Sequence, residues 1–411
     1  MATYVSLGLT SLYGHFTWSD SGVSRSEIQD INPQSGRLVL KLGETRSYPI
    51  APPVALLESR PGATQEAHAN LRSLANRVSG GTHENFNVYL TELDYVCVFA
   101  KRIYLAKQDM AQLYEVNRLV DRPYQEPGLE SLENLQGGPD SKSDIPEAQF
   151  EELEYPTLLL TSAGSFNWGH FLVDELPRLV AYVEKVRPPV LSVALLSWPH
   201  LNKNWKFDQR RSEAIQTLYP DVDIRFTFID VRTPRYFKQL LFVTPNSVHP
   251  AVKSQELCKL LQDRYRAVGN NKKADQKLYV VRSGSRNISR LQQLRLKRYF
   301  QRLGYRAVRP ELLSAREQFE LFASASHVVG LYGAALTNVL FCQPGTKLLV
   351  ISPIDPNGWL DPFYLDLSGQ VGQDQFIYLH VRPNGENQVQ DQLNLNLKQF
   401  FGFVQSSGFL G

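Results

Sequence analysis

Residues 326–352 read SHVVGLYGAALTNVLFCQPGTKLLVIS, and the fold is decided there. His327-Val328-Val329-Gly330 is a short apolar run of strand type. Lys347 to Ser352 is a second, too continuous for a half-exposed strand. Between them Gly333-Ala334-Ala335 opens a segment whose Leu336, Leu340 and Phe341 fall on one helical face, and Pro344-Gly345 ends it. Strand, glycine turn, helix, turn, strand is a βαβ unit, which predicts a parallel sheet. The helix start beside Gly333 is its chemically useful end. Small residues admit a ligand to the backbone there, and unpaired amides with the helix dipole favour an anion. Close helix–strand packing is the other use for small residues at such a place.

The same alternation continues outward. Downstream of a polar stretch, Gly269 to Lys273, the pattern predicts strands at 278–281 and 305–308. It predicts a basic amphipathic helix at 291–303 and a second helix at 314–323, where Ser314 and Glu317 have the spacing of a capping box. Upstream, strands are expected at 157–161, 190–196, 224–229 and 240–243, and helices at 167–186, 212–219 and 250–268. Two α/β domains follow, 151–268 and 269–411. Residues 1–120 are β-rich, with strands expected at 37–42, 87–93 and 95–99 and a helix at 65–78. Residues 121–150, with Pro123, Pro127, Gly137-Gly138-Pro139 and Pro146 among acids and serines, read as a flexible insertion.

Composition narrows the function classes. Of 411 residues 43% are hydrophobic and 21% charged, and the net charge is only +3. Such a balance implies no strong field for nucleic acid. The three cysteines, Cys97, Cys258 and Cys342, are widely spaced with no CxxC, which fits buried thiols in a reducing compartment. No apolar run approaches the ~20 residues of a membrane span, and no basic-then-apolar leader opens the sequence. The expectation is a cytoplasmic protein, associated at most peripherally with the inner face of the cell membrane.

Two stretches could carry chemistry, each directly after an expected strand. In Asn167-Trp168-Gly169-His170-Phe171-Leu172-Val173-Asp174, the histidine and aspartate share a helix face, with Asn167 one turn earlier. A His–Asp pair can take a proton from a hydroxyl, with Asp174 either the base or the partner that orients His170; a helix cap plus a solvated pair is the plainer alternative. Arg282-Ser283-Gly284-Ser285-Arg286 sets arginines on a small-residue loop, suited to forked contacts with phosphate oxygens, or simply a basic surface loop. Asp221-Val222-Asp223 has the acid-x-acid form of a metal site but precedes a strand, and reads as a turn. Trp359, Asp361, Tyr364 and Asp366 could line a sugar pocket or pack. Dinucleotide, P-loop, nucleophile-elbow and HExxH patterns are absent, which disfavours a dehydrogenase.

At these stretches the sequence resembles glycosyltransferase family 61. The likeness is carried by Asn167-Trp168-Gly169-His170 through Asp174-Glu175-Leu176-Pro177-Arg178, then Arg282, Arg286, Pro310-Glu311, Glu317-Gln318, Gly330, Gly333 to Asn338 and Pro344-Gly345, across about residues 155–352. It implies an enzyme of GT-B fold, two Rossmann-like domains facing across a cleft; the β-rich N-terminal extension lies outside the likeness, and a bacterial type is expected from the missing leader and anchor. It implies inverting transfer from a UDP-, GDP- or CMP-sugar to a glycan or lipid-linked glycan in surface or capsular polysaccharide synthesis, without an essential metal or cofactor. On that resemblance Arg282, Ser283, Arg286, Gly333, Ala334 and Ala335 grip the donor diphosphate, with Tyr332, Asn338 and Glu317 nearby. Asp174 is the expected base, with His170 beside it, and Asn167, Trp168 and Trp359 are acceptor-site candidates. Tyr332 stands where the family usually has histidine, Arg290 stands where it often has asparagine, and residues 347–352 lack the carboxylate common there. These departures keep open a second reading, a nucleotide-binding relative that acts as an assembly factor.

Overall fold

The computed structural model describes residues 4–5, 36–45, 53–58, 86–107, 111–113, 145–162, 164–199, 206–248, 252–268, 273–282, 288–354, 363–381 and 395–411. The helix expected at 65–78, most of the 121–150 insertion, and Ser283, Arg286, Trp359 and Asp361 lie outside them. The chain divides into two compact units, residues 1–46 with 84–247 and residues 47–83 with 248–411.

The first unit is built on a nine-stranded mixed sheet. Its strands are β1 (Tyr4–Val5), β2 (Gly36–Thr45), β4 (Phe86–Phe99), β5 (Arg102–Leu105), β6 (Ala111–Leu113), β7 (Thr157–Leu160), β8 (Leu191–Ser197), β9 (Ile224–Asp230) and β10 (Arg235–Val243). The order is β1-β6-β5-β4-β10-β7-β8-β9, with β2 also on β4. Every residue of β7 and β8 is buried, the reason their apolar runs do not alternate. β10 starts five residues before the stretch 240–243 expected of it. Its first half, Arg235 to Gln239, mixes polar side chains with a buried Phe237, and antiparallel pairing with β4 holds it. β4 spans both strands expected at 87–99, and Tyr95, at φ 50°, is the kink between them.

The second unit carries a six-stranded sheet that is parallel throughout. In order it runs β12 (Arg306–Val308), β11 (Gln276–Val280), β13 (Ala325–Leu331), β14 (Lys347–Ile354), β15 (Asp374–Val381) and β3 (Ala55–Glu58). The aromatic centre of its core is Phe300, stacked on Tyr279 at 5.2 Å and met edge-on by Tyr305 and Phe400. Burying each such ring contributes roughly 1.5–3 kcal/mol. Phe300 and Leu296 form the buried stripe of the basic helix 290–302, whose Arg295, Lys297 and Arg298 are exposed. The helix 255–267, grouped by sequence with the first α/β domain, belongs to the second unit. Its Tyr265 meets the rings of Phe319 and Phe341, and Gln262 donates to the Leu340 carbonyl at 2.7 Å. The capping box forms as expected: Ser314 Oγ accepts the Glu317 amide and the Glu317 carboxylate accepts the Ser314 amide.

The segment after Gly333 departs from its expected form. Residues Ala334–Phe341 are a 3₁₀ helix, and Leu336 through Phe341 are buried all round rather than on one face. Eight residues rise about 16 Å as a 3₁₀ helix and about 12 Å as an α-helix, and the tighter coil returns the chain further toward the start of β14.

Candidate active site

Each sheet has a point at the carboxyl ends of its parallel strands where its strand order turns back on itself. In the first unit β7 lies between β8, its successor, and β10, which arrives last. In the second, β11 lies between β12 and β13. Open α/β sheets bind ligands at such switch points. Both chemically suggestive stretches leave from them: residues 161–174 follow β7, and Arg282 follows β11.

In the first unit the helix expected at 167–186 forms in three parts. Asn167 caps a short turn, Trp168–His170, its Oδ1 accepting the Gly169 amide at 2.8 Å. A π-turn, Phe171–Glu175, follows, and then the α-helix α1, Leu176–Val186. Pro177 explains the widening. It has no amide for the carbonyl of Val173, and its ring crowds that carbonyl in a regular α-helix. The stranded oxygen is taken by Asn246, whose Nδ2 donates to it at 2.9 Å. The next carbonyl, of Asp174, accepts from Arg178 Nε. Arg178 is buried and also donates to Val243 and Thr161, tying the turn to the ends of β10 and β7.

This turn presents the two candidates together. His170 Nδ1 and Asp174 Oδ2 are 2.6 Å apart, with side chains 13% and 10% exposed. Asn167, an acceptor-site candidate, has its side-chain oxygen on the cap, and Trp168 stacks on Phe171 with ring centroids 5.5 Å apart. Glu175 lies beneath, wholly buried, accepting from Ser162 Oγ at 2.9 Å.

In the second unit Arg282 donates from Nη1 to the Tyr332 carbonyl, so its guanidinium lies across the turn that opens the 3₁₀ helix. Gly333 has φ +152°, and a Cβ there would lie 2.8 Å from Arg282 Nη1. A side chain at 333 would therefore meet the cation as well as a strained backbone. Tyr364 braces the other side: its hydroxyl donates to the Gly333 carbonyl at 2.5 Å, and its ring meets Tyr332 edge-on at 5.0 Å. Tyr364 thus joins this junction, whereas Asp366 is entirely buried, and desolvation holds its carboxyl well above the usual range.

The other donor-site candidates have internal roles. Asn338 is buried and donates to Gln318 Oε1 and the Ala335 carbonyl, both at 3.0 Å, pinning the 3₁₀ helix to the helix 315–323. Gln318, its partner, was visible only as the neighbour of Glu317. Glu317 itself is exposed and engaged in the helix cap, where the Ser314 amide and hydroxyl hold its carboxyl below the usual range. Glu317→Ala should therefore lower the melting temperature slightly and leave nucleotide affinity unchanged in calorimetry; a large loss of affinity would return it to the binding site. Asp221 and Asp223 stand in the turn before β9, Asp223 paired with Arg225 at 2.9 Å. Among the described residues no group of three or more His, Cys, Asp and Glu side chains converges. No helix among them is long and apolar enough to cross a membrane.

The model of the family Glycosyltransferase 61 matches residues 168–349. The matched span runs from the turn carrying His170 and Asp174 to β14, and takes in Arg282 and the Gly333 turn. A comparison with curated proteins finds no match.

Proposed function

We propose that the chain is a family 61 glycosyltransferase, an inverting enzyme of GT-B type that moves a sugar from a nucleotide-sugar to a hydroxyl of a glycan or lipid-linked glycan in surface polysaccharide synthesis. The observation that carries the reading is the seat of Arg282 on the Gly333 turn, at the switch point of an all-parallel sheet and inside the matched span. A fixed cation beside the opening amides of a helix suits an anionic leaving group.

The second unit then holds the donor and the first unit activates the acceptor. With the Asp174 carboxylate on Nδ1, the imidazole keeps its proton there and its lone pair at Nε2. The proton-accepting atom is therefore His170 Nε2, and Asp174, the base expected from sequence, orients the ring and stabilises the imidazolium. The acceptor O–H proton passes to Nε2 as the oxygen bonds to the sugar's anomeric carbon. The bond from that carbon to the nucleotide phosphate breaks, and its electron pair leaves on the phosphate oxygen. Arg282 and the turn amides stabilise that charge, so no metal is required in the step, and turnover should persist in EDTA.

Arg282→Ala tests the clamp. Calorimetry with UDP, GDP and CMP should show the bound nucleotide losing ~1.5 to 3 kcal/mol of affinity, the worth of a charge-assisted hydrogen bond. Unchanged affinity would remove Arg282 from the donor site. The alternative, a nucleotide-binding assembly factor, rests on Tyr332, which brings a hydroxyl in place of an imidazole and packs on Tyr364. It predicts the same loss on Arg282→Ala with no turnover or hydrolysis of any nucleotide-sugar.

A further inference from the structure

The imidazole of His170 sits directly against Gly164, in the loop that leaves β7. A Cβ on Gly164 would lie 2.2 Å from His170 Cγ, 2.3 Å from Cδ2 and 2.7 Å from Nδ1. These are atoms of a rigid ring, and one of them is the nitrogen bonded to Asp174. The loop is anchored on both sides of the contact. The Gly164 carbonyl accepts the Asn167 amide at 2.8 Å. Ser162 and Ser165 are cross-linked through Ser165 Oγ at 2.6 and 2.9 Å, and Ser162 Oγ reaches buried Glu175. With the loop held, any side chain at 164 must move the ring. Ordinary carbon contacts begin at about 3.5 Å, so the displacement is on the order of 1 Å, enough to break a 2.6 Å hydrogen bond.

We infer that Gly164 is a positioning residue for proton transfer: its bare Cα is the wall that sets the His170 ring against Asp174. The kinetic part of this inference rests on the transferase reading above; the geometric part does not. Packing alone would place a small residue here, but alanine would then be tolerated after a slight shift of a flexible neighbour. The neighbour is instead the ring of the proposed base.

The test is a cycle in the full chain: Gly164→Ala, His170→Ala and the double variant. Gly164→Ala should lower kcat about 100-fold, the usual scale for a misplacement near 1 Å, with the KM for donor within about twofold. In the His170→Ala background the same change should do nearly nothing, because the clashing ring is gone; an equal loss in both backgrounds would mean a general structural role and overturn the inference. If Gly164→Ala is poorly folded, adding His170→Ala should restore its melting temperature, and no restoration would count against the clash. Nitrogen NMR of the His170 ring gives a readout that needs no turnover. Gly164→Ala should change its tautomer pattern and remove the signature of the Asp174 bond. An unmoved resonance would refute the positioning role whatever the activity proves to be.

Discussion

Asp174→Asn is expected to cut kcat by ~100-fold or more while the affinity for the nucleotide-sugar stays within about twofold. The substitution preserves shape but removes the negative charge and exchanges one acceptor oxygen for an N–H donor. An asparagine that turns its amide N–H toward Nδ1 calls for a lone pair there, which sends the ring proton to Nε2, the atom that must receive one from the acceptor. Because the acid and the ring act as one unit, His170→Ala should cost about as much, and the double variant little more than either alone. Steady-state kinetics in both substrates, with calorimetry for donor binding, separates the outcomes. Near-normal kcat for Asp174→Asn would place the base elsewhere. A loss confined to donor KM would put this pair in binding rather than proton transfer.

Arg211→Met is expected to destabilise the chain by about 3–5 kcal/mol, the cost of removing one partner from a buried charge network. Arg211, on the helix 207–218, is entirely buried; it donates to the Leu196 carbonyl and to Asp208, and stacks over Phe207. Desolvation pushes its guanidinium below its ordinary range, and Glu175 and Asp208 oppose that shift. Methionine fills much of the volume but removes a buried cation whose charge Glu175 and Asp208 favour. Urea unfolding should show the loss, and adding Glu175→Gln should recover part of it. A single variant as stable as the parent would mean the network contributes nothing. The consequence reaches the site, because Glu175 follows Asp174 in the same π-turn.

The second unit was largely readable as a sequence because its signals are local. Apolar runs marked β11, β13 and β14, and Ser314 with Glu317 announced a helix start that formed as written. The pairing of His170 with Asp174 was readable for the same reason, since a spacing of four brings the side chains together even through a widened turn. What stayed hidden depends on distant partners. Pro177 warned of a disturbed helix, but the groups that make the disturbance tolerable, Asn246 and Arg178 with its bonds to Val243 and Thr161, become neighbours only once the sheet forms. Gly164 and Tyr364 were hidden likewise: nothing in the spacing says that a ring will rest on the one, or that the hydroxyl of the other will hold the Gly333 carbonyl. Glu317 is the opposite case, a motif position with a local duty at the helix cap that its spacing from Ser314 already announced.

The edge strand β3 has a consequence for how the protein can be made and cut. Its four residues, Ala55–Glu58, run beside Phe376–Leu379 of β15, across more than three hundred residues of chain. During synthesis that segment emerges early and must wait for a partner that leaves the ribosome near the end, so the last border of the second sheet closes late. A fragment starting at Val248 would expose the flank of β15 as an open template for aggregation, and one ending at Ser247 would carry an orphaned 55–58 segment. The boundary that looks like a natural place to divide the molecule is therefore a poor one: neither piece holds a finished half.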